Sequence, residues 1–169
     1  MAIQILWQSE VSGELVRQET SLLGEVFVIM WKGNVIVDTS WLLTTGSSGL
    51  SQLAASSETI IQGLLNPDEK DIQVRLLKKG SAFSQAVWLA LTEVPMGQVR
   101  TYSDLAMELH SGPRAIAQAC RMNPYPGIIP CHRVVSKSGV GGFMGQRLGS
   151  WVDLKQRLLN YERKIARRS

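Results

Sequence analysis

Cys131 and His132 stand side by side in NPYPGIIPCHRVV, residues 123–135, an apolar run bracketed by prolines. A thiolate attacks carbon readily, and a neighbouring imidazole or cation lowers the pH at which the thiol ionises. Pro130 stiffens the backbone before the sulfur, and Arg133 adds positive charge after it. Adjacent residues on a strand point to opposite faces, so the pair needs a geometry that spacing alone does not supply. Cys–His chemistry is completed by a carboxylate that orients the imidazole, and the C-terminal segment offers Glu162 first and Asp153 second. The bland alternative for Glu162, within YERK, is a helix-surface charge paired with a nearby arginine. Cys120, set among Ile116, Ala117 and Ala119, reads as a small buried hydrophobe.

Those side chains need elements to hold them. SAFSQAVWLALTEV reads as a helix capped by Ser81 and ended by Pro95. SDLAMELH follows with Ser103 as the expected N-cap, then SGPRAIAQACRM with Ser111 or Gly112 before Pro113 at the first helical position. Two short helices about a Gly-containing turn have the outline of a helix-turn-helix, and the second carries Arg114 and Arg121, able to meet phosphates or bases. WVDLKQRLLNYERKIARR is helical by period, with Leu154, Leu158, Leu159 and Ile165 on one side.

Upstream, GEVFVIMWKGNVIVDTSWL holds two strands about a Lys32-Gly33-Asn34 turn, GELVRQET offers an earlier strand, and DIQVRLL a late one. Between them come a Ser/Thr/Gly-rich loop at 44–51 and a helix in LSQLAASSETIIQGLLN that stops before Pro67. The expected fold class is therefore α/β of the α+β kind: a small N-terminal β-sheet domain with a helix, residues 1–80, followed by a mostly helical C-terminal domain containing a helix-turn-helix, residues 81–169. The join falls in Lys78-Lys79-Gly80-Ser81. The first domain offers no reactive constellation.

The chain has 169 residues, enough for a core that needs no cross-links. No apolar run approaches the roughly 20 residues needed to span a bilayer. Two Cys and two His, widely arranged, argue against a metal site, and with no signal peptide in evidence a reducing cytoplasm is expected. The net charge of +4 hides an asymmetry: residues 1–82 hold six Lys/Arg against nine Asp/Glu, residues 83–169 twelve against five. A basic half that also carries the Cys–His pair suggests a polyanionic partner.

FSQAVWLALTEVPMGQVRTY, SGPRAIAQACRMNPYPGIIPCHRVV and KQRLLNYE together resemble the O6-alkylguanine-DNA alkyltransferases, the methylated-DNA–protein-cysteine methyltransferases, strongly over about 83–162 and only architecturally before that. The resemblance implies irreversible, single-use transfer of a methyl or other alkyl group from O6-alkylguanine in DNA, with O4-alkylthymine a further candidate, onto Cys131. It implies a Cys131–His132–Glu162 network, which settles the choice against Asp153. Asn123 would brace the active-site turn, Tyr102 would donate a hydrogen bond to the leaving guanine and pack on the DNA backbone, and Arg114 would replace a flipped nucleotide in the stack. The same helix would lie in the minor groove of double-stranded DNA, with Ala115, Ala119, Arg121 and Arg133 completing the DNA contacts. Met122, Pro126, Phe143, Met144, Gly145 and Trp151 would line the alkyl pocket. No cofactor, metal or membrane is implied, and one-to-one chemistry asks only for a monomer.

The departures lie in the pocket loop. The family usually carries Gly-Tyr-(Ala/Ser)-Gly-Gly there, whereas GVGGFMGQRLGSWVDLKQRLLNYE has Phe143, Met144 and Gln146 in that stretch and extra residues, Trp151 among them, before Lys155. Tyr161 stands where a histidine is common. Three other readings compete. A non-transferring alkyltransferase-like protein lacks the cysteine that this chain has; a cysteine-sensing helix-turn-helix regulator needs a separate sequence-reading domain; a Cys–His hydrolase turns over repeatedly.

Overall fold

A computed structural model describes residues 3–43, 55–65 and 71–168. The chain divides into two compact units, Met1–Lys79 and Gly80–Ser169. In the first, strands β1 (Ile3–Gln8), β2 (Leu15–Leu22), β3 (Glu25–Lys32) and β4 (Val35–Leu42), helix α1 (Ala55–Leu65) and strand β5 (Ile72–Leu77) build one sheet of order β1-β5-β4-β3-β2. The β3–β4 hairpin turns at Gly33, whose φ of +57° suits glycine. β5 enters parallel to both β1 and β4, so the sheet is mixed. β3 buries Phe27, Val28 and Ile29 in succession, as a central strand covered on both faces does. Trp31 Nε1 donates to Ser57 Oγ at 3.0 Å, and that hydroxyl donates to Gln18, tying α1 to the sheet. The expected loop at 44–51, the start of the α1 segment and Pro67 lie outside the described residues. β1 was not among the expected strands.

The second unit holds α2 (Ala82–Thr92), β6 (Arg100–Thr101), α3 (Tyr102–Glu108), α4 (Pro113–Arg121), β7 (Val134–Val135) and α5 (Ser150–Ala166). Ser81 caps α2 through its hydroxyl, as expected. α3 starts two residues earlier than read: its N-cap is Thr101, not Ser103. Thr101 accepts from Asp104 N at 3.1 Å while the Asp104 carboxylate accepts from Thr101 N, a reciprocal capping box. The helix ends in a Schellman arrangement, with His110 left-handed at φ +52° and Ser111 N donating to Ala106 O at 2.8 Å. Gly112 then caps α4 with Pro113 at its first position. Trp88, buried on α2, donates its indole N–H to Ala119 O at 2.9 Å and fixes α4 against the core. β6 and β7 pair in parallel, Arg100 with Val134 and Thr101 with Val135, which sets the start of α3 beside the segment that follows Cys131.

Candidate active site

The turn that carries the thiol is held by proline stiffness and one asparagine. Asn123 Nδ2 donates to Ile129 O at 2.9 Å and its Oδ1 accepts from Tyr125 N at 2.9 Å, while Ile129 N returns to Tyr125 O at 2.8 Å. Pro124, Pro126 and Pro130 restrict the intervening backbone. The product is a single 3₁₀ turn, Cys131–Arg133, with Cys131 and His132 both buried. A turn, unlike a strand, lets consecutive side chains address one site.

His132 Nε2 lies 2.6 Å from Glu162 Oε1, and both groups are buried. Arg133 grips the same carboxylate in a fork, Nε to Oε2 at 3.0 Å and Nη2 to Oε1 at 2.9 Å, and donates from Nη1 to Val94 O at 2.7 Å. Burial acts to raise the Glu162 pKa, but the charge and hydrogen bond of His132 and those of Arg133 outweigh it and bring it down to about 2. The carboxylate is therefore ionised. Among the described residues His132 Nδ1 is buried without a hydrogen-bond partner, so thiol and imidazole are not directly bonded. Asp153, the other candidate carboxylate, is exposed at the start of α5.

Burial raises the pKa of both thiols, but their surroundings differ. Cys120 is pushed up to about 12, with Cys131 adding to the effect and Lys155 opposing it. At Cys131 a hydrogen bond from Asn123 and the charge of Lys155 oppose burial. Lys155 is a residue that the sequence reading passed over. It lies wholly buried on α5, donating Nζ to Val134 O at 2.6 Å and Gly142 O at 2.9 Å, 5.9 Å from the centre of the Tyr102 ring. Its pKa is lowered to about 8 by burial, against which Cys131 and Cys120 act. Tyr102, the first residue of α3, has its hydroxyl pKa raised by burial and by the two thiols, so it stays a protonated donor at neutral pH.

Arg114 and Ala115 are exposed on the first turn of α4, and Arg121 is exposed at its end. Ala119 is not: it is buried against α2 and packs the core, which removes it from the expected DNA face. Arg133 likewise leaves that face, because its guanidinium is committed to Glu162 and Val94. The charge that opposes burial at Cys131 is that of Lys155 and not, as its place two residues along the chain suggested, that of Arg133; burial still raises the thiol's pKa. Of the expected pocket residues, Pro126 and Phe143 are buried, Trp151 is half-buried, and Met122 is open to solvent at the C-cap of α4. Met144 and Gly145 form the tip of a tight turn, and a Cβ added at Gly145 would lie 3.2 Å from Arg121 Nε.

A cavity of about 470 Å³ lies elsewhere, in the first unit, lined among others by Trp31, Thr59, Ile60 and Val74 and, among the described residues, by no Cys, His or carboxylate. Among the described residues no group of three His, Cys, Asp or Glu side chains could hold a metal ion, and no helix is long and apolar enough to cross a membrane.

A mixed sheet followed by a helix-turn-helix unit, with a buried cysteine beside a carboxylate-oriented imidazole, defines a class: a DNA-binding type of fold built around a cysteine nucleophile. Residues 82–164 match the family described as 6-O-methylguanine DNA methyltransferase, DNA binding domain. A methylated-DNA–protein-cysteine methyltransferase of Archaeoglobus fulgidus is 35% identical over 144 residues, covering 82% of this chain and 94% of its own. A Mycobacterium tuberculosis OGT crystallised in complex with DNA shares the fold, with a TM-score of 0.71 at 24% identity over 88% of this chain and 93% of that one. An O6-methylguanine DNA methyltransferase from Methanococcus jannaschii superposes with a TM-score of 0.59 at 26% identity, over 86% and 92%. The chain belongs to the methylated-DNA–protein-cysteine methyltransferase family.

Proposed function

We propose that this protein repairs alkylated DNA by moving a methyl or other alkyl group from the O6 atom of guanine, with O4-alkylthymine as a second substrate, onto its own Cys131. The observation that carries this reading is the buried Cys131 on its braced turn, beside a His132–Glu162 pair at 2.6 Å, inside the stretch that matches the family. Ionised Glu162 fixes the imidazole through Nε2 and stabilises it when charged, and Nδ1 receives the thiol proton. The sulfur lone pair forms the S–C bond while the C–O6 bond breaks. Its electron pair stays on guanine, where the Tyr102 hydroxyl supplies a hydrogen bond as charge develops. The product is a thioether, whose S–C bond does not hydrolyse under ordinary conditions, so each molecule acts once.

An alkyl carbon inside a duplex cannot be reached in line by a buried sulfur, so the base must leave the stack, at a cost of a few kcal/mol. Arg114, exposed at the first turn of α4, fills the gap from the minor groove, while Ala115 and Arg121 lie along the strand. Damage occurs in any sequence context, which favours phosphate and shape contacts over base readout. In this reading residues 81–169 bind double-stranded DNA and carry the transfer, residues 1–80 support them, and the protein works in the cytoplasm as a monomer. Asn123 positions the turn, and Pro126, Phe143, Met144 and Trp151 bound the alkyl pocket. Cys131 itself separates this function from that of alkyltransferase-like proteins that bind damaged guanine without accepting the group.

Incubation with a duplex containing O6-methylguanine, followed by weighing the intact protein, tests the reading. One added methyl is expected, absent from Cys131→Ser; tight binding with unchanged mass would overturn it.

A further inference from the structure

Met122 stands outside the alkyl pocket. It closes α4 as the C-cap, with φ −89° and ψ 4°, and 62% of its surface is exposed. Ala115 and Gln118 precede it by seven and four residues, spacings that put all three on one side of a helix, and both are exposed as well. Exposed arginines stand at the two ends of that side, Arg114 and Arg121. The loop before α5 reaches the same end as Met122, since a Cβ added at Gly145 would lie 3.2 Å from Arg121 Nε. Three residues on from Gly145, Leu148 is 85% exposed and follows the exposed Arg147. Scattered singly, an exposed methionine and an exposed leucine call for no partner. Here the helix end and the loop that runs close to it each present a large apolar side chain next to an arginine.

We propose that Met122 and Leu148 form an apolar anchor that presses into the minor groove of duplex DNA, about three to four base steps from the gap that Arg114 fills. The inference rests on the duplex-binding reading and deepens it: Arg114 is one end of the contact along α4, and the anchor is the other. Charge selects the occupant. Apolar side chains rimmed by Arg114, Arg121 and Arg147 attract a polyanion and repel a basic partner, and they continue the face of α4 assigned to DNA. Met122 follows Arg114 by eight residues. At a rise of about 1.5 Å per residue that is about 12 Å along the helix, while successive base pairs stand about 3.4 Å apart. Ala115, between the two, lets the helix approach the groove closely. The minor groove offers few base-specific hydrogen bonds, and proteins that bind there wedge methionine or leucine against the base steps instead. Such a contact reads shape and not sequence, as damage in any sequence context requires.

Salt separates an apolar contact from an ionic one. Affinity for a long undamaged duplex, measured by fluorescence anisotropy across a salt series, compares the wild type with Met122→Gln, Leu148→Gln, Met122→Leu and Arg121→Gln. Each glutamine at an apolar position is expected to weaken binding by about tenfold with the salt slope unchanged, because an apolar contact releases no counterion. Met122→Leu keeps the wild-type affinity. Arg121→Gln weakens binding and lowers the slope by about one. Wild-type affinity in both Met122→Gln and Leu148→Gln overturns the proposal, and so does a loss in them that comes with a lower slope. A second measurement sets the register. In the Cys131→Ser background, duplexes with one O6-methylguanine are trimmed stepwise from each end. Leaving fewer than about three pairs on one side, and not on the other, should abolish the difference that Met122→Gln makes; a difference that survives every trimming overturns the placement. The salt series uses undamaged DNA and reads no transfer, so its outcome stands apart from an unchanged mass on the methylated duplex. A wild type that binds no duplex sinks the underlying reading and the anchor with it, whereas a wild type that binds no tighter than the two glutamine variants sinks the anchor alone.

Discussion

Glu162 accepts His132 on one oxygen and the Arg133 fork on both, and those partners bring its pKa from 4.5 to about 2 despite burial. A carboxyl whose folded pKa is depressed adds stability that is complete above its unfolded value and is lost as pH falls through the folded one. The urea midpoint should therefore fall between pH 4.5 and about 2, and Glu162→Gln should flatten that leg. The same substitution leaves the imidazole in place but removes the charge that stabilises its protonated form, so single-turnover transfer should slow by roughly a hundredfold; an unchanged rate would remove Glu162 from the mechanism. Cys131 and His132 were legible as candidates because a proline-bracketed Cys–His pair has few structural uses, whereas Glu162 was separated from Asp153 only by the family resemblance. Lys155 was not, because a lysine in KQRLLNYE reads as a solvated helix face and its acceptors lie 13 and 21 residues away. Arg133 misled for the opposite reason: it stands two residues from the thiol in sequence but turns to Glu162 and Val94 in space.

Elements bring those side chains together, and the pocket loop shows how a local turn couples to a distant helix. Phe143 and Gln146 exchange backbone hydrogen bonds at 2.8 and 2.9 Å, and the tip residues Met144 and Gly145 both have positive φ, +51° and +78°. That is the signature of a type I′ turn, which favours glycine at its second central position. A Cβ added at Gly145 would lie 3.2 Å from Arg121 Nε, so the loop runs close to the end of α4. Gly145→Ala should destabilise the second unit by about 1–2 kcal/mol, read from a denaturant midpoint, and should weaken duplex binding by displacing Arg121; wild-type values for both would show that the turn tolerates a side chain. Helices α2, α4 and α5 were legible from apolar period and caps. The start of α3 was misread although Thr101 and Asp104, three apart, carry the capping signal. β1 went unread because a short parallel strand has no hairpin turn beside it, and its partner, Ile72 against Ile3, is 69 residues away.

Over the whole molecule charge is segregated by unit: residues 1–82 carry a net −3 and residues 83–169 a net +7. Within the second unit Arg114, Arg121, Lys137, Arg147, Arg157, Arg163, Lys164, Arg167 and Arg168 are exposed, whereas Lys155 and Arg133 are spent on internal partners. The exposed set, not the formal sum, is what a polyanion meets. Displacing counterions from about four phosphates predicts roughly a hundredfold loss of affinity for undamaged duplex between about 50 and 200 mM salt, measured by fluorescence anisotropy. A flat salt dependence would show that the basic surface is merely solvated. Arg114 separates binding from extrusion: Arg114→Ala should slow repair of the duplex by about tenfold or more, beyond any change in the salt slope of about one charge. Reaction with the free O6-alkylguanine base, which has no stack to leave, should be almost unaffected. Equal losses on both substrates would place Arg114 in the pocket's support, and the gap left by the flipped base would then have to be filled from another part of α4.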